Sequence, residues 1–296
     1  MTDERRKRNI NGKDIKQISI LPAYLIVPTH WQSLKPLCKF LHTVLVDFFF
    51  LQYSVKLKLK KIEIISVGDD LDEKIPFRPD KSDIYLDFIN YWIRPLSFII
   101  KRLGVKRAVP HCARFIKALQ QLYAEAARVY RFRMSTTKRP NHGGNKNMKI
   151  IHRVDPHYLC VPSLHIAIVT LTYTFFDEVF QKENLPQDEY NRYTQELYHG
   201  ALEIAETVLY VKQHSVNCIP AALYMMLHLQ SEIFSIDKAV KFINDLFTDA
   251  PDVLPEDKTK INSHIHYMFE RLLLESCNED DWTIPVIRWL LSVKQN

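Results

Sequence analysis

Glycine is scarce in this chain, six residues in 296, and runs that alternate β-branched with polar residues are few, so architectures built on sheets are disfavoured. The five cysteines, Cys38, Cys112, Cys160, Cys218 and Cys277, are odd in number and far apart, and none forms a Cys-x-x-Cys pair. That excludes a disulfide frame and points to a reducing compartment. No zinc-finger spacing, RNP signature or arginine-rich recognition helix accompanies the basic residues, so nucleic acid is not the expected partner. The first twenty residues are basic and polar without an apolar h-region, so a secreted protein is not expected either. There is no internal repeat and no low-complexity segment.

What is present is apolar residues at three- and four-residue spacing and a hydrophobic content of 47%, enough for a sizeable core in one large or two small domains. The expected class is all-α. Residues 1–20 read as a basic, flexible lead, 21–230 as the main helical domain, and 231–296 as a polar helical extension packed on it. Within the main domain the patterns predict helices over about 34–53, 85–103, 112–130, 162–181 and 188–210, and another from about 217. The acids and prolines of 68–83 and the Lys-Arg-Pro and Gly-Gly of 135–146 mark loops.

The net charge is +6, with its excess in Arg5, Arg6, Lys7 and Arg8 and in Lys56 to Lys61. Such runs are solvated faces or, for the lysines after the apolar stretch 40–53, contacts to anionic lipid. Residues 156–176 and 213–231 contain no Asp, Glu, Lys or Arg and approach the ~20 residues of a membrane span. Their histidines, prolines, serines and threonines argue instead for core helices of a cytoplasmic or membrane-associated protein.

Two stretches carry polar residues where packing asks for none. In Cys160-Val-Pro-Ser-Leu-His-Ile-Ala-Ile-Val169, Pro162 can open a helix whose first-turn N–H groups face an anion, with Ser163 and His165 as further donors. Taken alone, the same residues read more readily as a plain helix start with a satisfied core histidine. In Thr207 to Pro220, Lys212 and His214 point to different sides of an ideal helix. They converge only if the chain breaks there and a new helix begins with Asn217 as N-cap and Pro220 in its first turn; the alternative is a proline-kinked core helix. His152 and His157 around Asp155, and His264 with His266, resemble metal ligands only in composition. Glu203 and Glu206 read as a solvated helix face.

In order and spacing these stretches resemble the type 2 phosphatidic acid phosphatase superfamily, chiefly its lipid phosphatases and inositolphosphoceramide-synthase-like phosphotransferases. The resemblance runs over about 70–225 and is carried by Asp72-Glu-Lys-Ile-Pro-Phe77 before Tyr85 and Tyr91-Trp92, by Phe132 to Pro140 ending in Lys-Arg-Pro, by Asp155 to His165 ending in Pro-Ser-Leu-His, and by Lys212-Gln-His214. It implies a helical bundle of the phosphatase/haloperoxidase kind that needs no metal or other cofactor and acts on a phosphorylated lipid or small phosphomonoester, with a membrane surface as a partner. By resemblance His214 is the nucleophile that forms a phosphohistidine, and His165 protonates the leaving alcohol and later activates water. Arg139, Lys138, Lys212 and Ser163 would bind the phosphate. The chain departs from the pattern where the family has Arg and this sequence has Val208, where it has Lys and this sequence has Phe132, and where the Asp that orients the nucleophile is Cys218. Asn217 is the other candidate for that orienting role. The expectation is therefore a phosphatase or phosphotransferase, with a degenerate binding or structural member of the same superfamily as the alternative.

Overall fold

The computed structural model describes residues 10, 12–142 and 144–293; the first nine residues of the expected lead lie outside this range. Twelve α-helices account for most of the described chain: α1 (Leu21–Ile26), α2 (Trp31–Thr43), α3 (Leu51–Lys56), α4 (Ser82–Leu103), α5 (Val105–Phe132), α6 (Lys146–Val154), α7 (Leu164–Lys182), α8 (Gln187–Tyr210), α9 (Cys218–Leu229), α10 (Ile236–Asp245), α11 (Pro255–Glu275) and α12 (Thr283–Ser292). A π-helical stretch, Val44–Phe50, joins α2 to α3. The protein is all-α apart from two three-residue strands, β1 (Ile64–Ser66) and β2 (Met134–Thr136).

Helix α7 explains the uncharged run. Its apolar residues and threonines are buried on every side, with α4, α5, α8 and α9 packed around it. A helix apolar all round belongs in a core or a membrane. Here Thr172 and Thr174 return their hydroxyls to the Ile168 and Thr170 carbonyls, both at 2.7 Å, so these two polar groups are satisfied inside the core, whereas the Thr170 and Tyr173 hydroxyls are buried without a partner. Among the described residues no helix is long and apolar enough to cross a membrane. Between α4 and α8 the approach is so close that a Cβ on Gly200 would lie 2.8 Å from Tyr91 Cε2, which is why the position is glycine.

Four expectations are corrected. Residues 12–20 are anchored: Ile15 and Ile18 are buried, and the Ile15 and Lys16 N–H groups donate to the Glu196 carboxylate at 2.7 and 2.8 Å. The 231–296 segment is amphipathic rather than polar, and Phe242, Ile265, Phe269 and Leu290 join the main core. Glu206 belongs to no solvated face, since its carboxylate accepts the Phe247 N–H at 2.6 Å. Finally, residues 135 and 136 are strand. β1 and β2 pair in parallel, Ile64 to Met134 through Ser66 to Thr136, and Ser135 also bridges Leu159. Three-residue strands have no periodicity to read, yet this small sheet ties the chain before Arg139 to the chain before Ser163.

Candidate active site

Ser163 is the N-cap of α7, its Oγ accepting the Ile166 N–H at 3.4 Å. Pro162 therefore precedes the helix instead of opening it. Its carbonyl accepts the Tyr130 hydroxyl at 2.6 Å, and Val161 N–H donates to Ser135 Oγ at 2.8 Å, so α5 and β2 both hold this entry. The Leu164 and His165 N–H groups, in the first turn, have no acceptor among the described residues, as expected of unsatisfied donors at a helix start.

The second segment arrives through a break in the long helical region. Helix α8 ends at Tyr210, Lys212 takes a left-handed φ of 54°, and α9 starts at Cys218. The turn is held by Asp72, whose carboxylate accepts the Val216 and Asp69 N–H groups, both at 2.9 Å. Burial pushes the Asp72 carboxyl above its usual range, against the pull of these donors and of Lys212.

These supports bring two histidines 49 positions apart into contact: His165 Nδ1 lies 3.1 Å from His214 Nε2, and Ser163 Oγ lies 3.3 Å from the same nitrogen. Either ring nitrogen can donate to the other, depending on the tautomer. The His165 ring sits against Tyr85 and Phe88 of α4, at centroid distances of 4.9 and 4.5 Å, and burial brings its pKa down to about 4. Burial, aided by His165 and His157, holds His214 well below the usual histidine range. Both rings are neutral at pH 7.

Arg139 completes one side. Its guanidinium donates to the Asp155 carbonyl at 3.0 Å, to Asp155 Oδ2 at 2.8 Å and to Gln213 Oε1 at 2.5 Å, and its Nε is buried without a partner. His157 packs behind it, accepting from Thr137 N–H at 3.4 Å and bonded to Thr137 Oγ1 at 2.7 Å; burial and the Arg139 charge lower its pKa far below normal. Gln213, His157, Asp72, Tyr85 and Phe88 are contributors that the sequence reading did not single out for the site. Asp72, Tyr85 and Gln213 stand in the motifs that carry the resemblance and His157 lies in the Asp155 to His165 stretch, without a site role, whereas Phe88 reaches the site by tertiary packing alone.

Four of the expected residues are placed differently. Lys212 turns its ammonium to the Asp72 carbonyl and, at 2.5 Å, to the Ile75 carbonyl, so it anchors the 72–75 segment. Lys138 is exposed and makes no hydrogen bond or ion pair among the described residues. Asn217 begins α9 without capping it; its amide donates to Val67 O at 3.1 Å and accepts from His264 Nε2 at 2.7 Å. Cys218 Sγ accepts the Ser215 N–H at 3.3 Å. His214 Nδ1, where an orienting carboxylate would act, is buried with no hydrogen bond, although the nearby Cys160 backbone slightly favours the charged ring.

The site is closed. Helix α6 covers it, Met148 and Ile151 packing with Val211, Phe77 and Tyr85, and His214 is only 7% exposed. Among the described residues no three His, Cys, Asp or Glu are grouped to hold a metal ion.

The buried imidazoles carry an acid-stability signature. His157, His165 and His214 all have lowered folded-state pKa values, so below about pH 6.5 the unfolded chain binds protons that the native state refuses. Their stabilising effect is present above that pH and is lost as pH falls towards 4. Glu206, raised by burial to about 7, works the other way and offsets part of it. The urea midpoint should drop steeply between pH 6.5 and 4.5, by about 1–3 kcal/mol of stability per pH unit; a midpoint flat across that window would contradict the buried, neutral assignment.

No family model matches this sequence, and neither a curated protein nor a solved structure does. The site stands on its own geometry.

Proposed function

We propose that this chain is a divergent member of the type 2 phosphatidic acid phosphatase superfamily, a phosphatase or phosphotransferase acting on a lipid-linked phosphate or related phosphomonoester through a phosphohistidine. The observation that carries the reading is the opposition of His165 Nδ1 and His214 Nε2 at the Ser163-capped start of α7. In-line phosphoryl transfer needs a nucleophile on one side of phosphorus and a proton donor on the other, with cations and donors around the equatorial oxygens. The negative charge of a bound phosphate monoester favours the charged ring of His165, which takes up a second proton as the substrate enters; His214 Nε2 then attacks phosphorus, the bond to the leaving oxygen breaks, and the His165 imidazolium gives that oxygen its proton and is left neutral. Water then attacks the phosphohistidine, His165 takes the water proton, and the P–N bond breaks to release phosphate.

Arg139 Nε and the first-turn N–H groups of α7 are unpartnered donors available to this chemistry. A helix start is a natural anion site, and the chemistry asks for no metal. The facing nitrogens must part by roughly 3 Å to admit a phosphoryl group, given near-attack distances of about 3–3.5 Å and a hydrogen bond to the leaving oxygen. The closed pair is therefore the resting arrangement.

A specific observation favours the second reading, a degenerate binding or structural module: His214 Nδ1 has no acceptor, and the Lys212 charge is spent on backbone carbonyls. Assaying the wild-type chain on p-nitrophenyl phosphate and on phosphatidic acid separates the two. The enzyme reading expects slow hydrolysis that survives EDTA and is blocked by vanadate, a mimic of the pentacoordinate transition state. Absence of turnover on both, with no vanadate binding, supports the module.

A further inference from the structure

Between positions 21 and 59 the core takes Ala23, Val27, Phe40 and Leu51, but many other large apolar residues there are left outside it. In the π-helical stretch Val44–Phe50, whose sequence is Val-Leu-Val-Asp-Phe-Phe-Phe, no residue is buried. Trp31, Leu41, Leu45, Val46, Phe49 and Phe50 are between 41% and 77% exposed. Leu41, Leu45 and Phe49 recur every fourth residue, as do Val46 and Phe50, so they form one stripe along the continuous helical run from α2 to α3, whose opposite side packs on α5. Soluble proteins scatter single exposed apolar residues; a contiguous stripe marks a surface that something covers.

The charges on the same stretch say what. Residues 21–61 contain Lys35, Lys39, Lys56, Lys58, Lys60 and Lys61 and one acid, Asp47. Asp47 is neutralised by Arg131, while none of the six lysines has an ion-pair partner among the described residues. Lysines flank the apolar stripe at both ends, and at the α2 end Lys35, Lys39 and Lys117 line a cavity of about 300 Å³ beside Trp31. A second copy of this chain is a poor occupant, because a two-fold contact through the stripe would bring two unpaired lysine sets together. An anionic bilayer suits it: apolar side chains enter the acyl boundary, the tryptophan sits at head-group level, and the lysines meet lipid phosphates.

We propose that the stripe from Trp31 to Lys61 docks the protein on an anionic membrane surface, lying in the interface without crossing it. This rests on exposure and charge, not on the phosphatase reading. It does bear on that site, because the Tyr53 hydroxyl donates to the Val154 carbonyl at the end of α6, the helix that covers the histidine pair. Helix α6 itself presents Ile150 and Val154, both more than half exposed, beside Lys149 and Arg153 and without an acid. The docking face thus continues onto the cover of the site.

The test uses the full chain and vesicles of phosphatidylcholine with and without phosphatidylglycerol, read by co-sedimentation and by tryptophan emission. Wild type should sediment with the anionic vesicles only, less so as salt shortens the Debye length from about 10 Å at 0.1 M to about 3 Å at 1 M. Its emission should shift to the blue, and Trp31→Phe should remove that shift. Phe49→Ser with Phe50→Ser, and separately Lys58→Glu with Lys60→Glu, should each weaken binding at least about tenfold while melting as the wild type does, since all four side chains are exposed. Folded wild type that ignores anionic vesicles, or natively melting variants that bind as well as wild type, would overturn the proposal. So would a dimer in solution that either pair of substitutions dissolves, because the stripe would then be covered by a second copy.

Discussion

His214→Ala is expected to abolish phosphomonoester hydrolysis, a loss of about 10⁴-fold or more, and His165→Ala to slow it by about 10²–10⁴-fold when the leaving alcohol needs a proton. The asymmetry follows from the two roles. Without His214 Nε2 there is nothing to attack phosphorus, and Ser163 Oγ, 3.3 Å from that nitrogen, is a weak substitute with no activating base. Without His165 the attack still occurs, but the alkoxide leaves unprotonated. A substrate such as p-nitrophenyl phosphate, whose leaving group departs as a stable anion, should therefore narrow the first-step penalty in His165→Ala and leave the second step slow. Equal losses on good and poor leaving groups would show that His165 acts only by supporting the His214 ring. Both variants remove a buried, neutral imidazole, so a urea titration must accompany the kinetics to keep folding and chemistry apart.

Cys218→Asp is expected to raise the rate by about 10–10⁴-fold. The Cys218 thiol accepts the N–H of Ser215, the residue that follows His214. A carboxylate at 218 can take over that N–H with one oxygen and offer the other to His214 Nδ1, which is buried without a partner. That bond would fix the Nδ1–H tautomer, leave Nε2 free to attack and stabilise the positive charge of the phosphohistidine. The carboxylate is costly to bury unpaired, so Cys218→Asp should destabilise more in a His214→Ala background than alone. Wild type without turnover, with recovery in Cys218→Asp, would identify a degenerate enzyme one residue from activity. Neither turnover nor vanadate binding in either form would leave the scaffold.

Helix existence was largely legible because long amphipathic or fully apolar runs specify helices whatever their neighbours, as α4, α5, α7 and α8 do. The expected limits of α4 and α5 began late, at 85 and 112 against Ser82 and Val105, since Gly104, with a φ of 83°, lets two helices abut where the sequence suggests a longer gap. Pro-Ser-Leu-His and Lys-Gln-His were legible as polar intrusions into apolar runs, and the structure places His165 beside His214. The local geometry around them was not legible. Lys212 faces the 72–75 carbonyls because its left-handed backbone throws the side chain away from His214, and Asn217 is claimed by Val67 and His264, partners 150 and 47 positions away. Such competition for a side chain is settled by tertiary packing and leaves no periodic trace. The same is true of Arg139, whose register is set by a strand pair too short to announce itself.

The central claim is that His214 accepts a phosphoryl group opposite His165. Its most direct test is the mass of His165→Ala after brief incubation with p-nitrophenyl phosphate, quenched at alkaline pH, where phosphohistidine survives, and digested. The account predicts one phosphoryl group on the peptide containing His214, absent from His165→Ala/His214→Ala. Hydrolysis by the wild type with no adduct on that peptide, or an adduct on another residue, would contradict it.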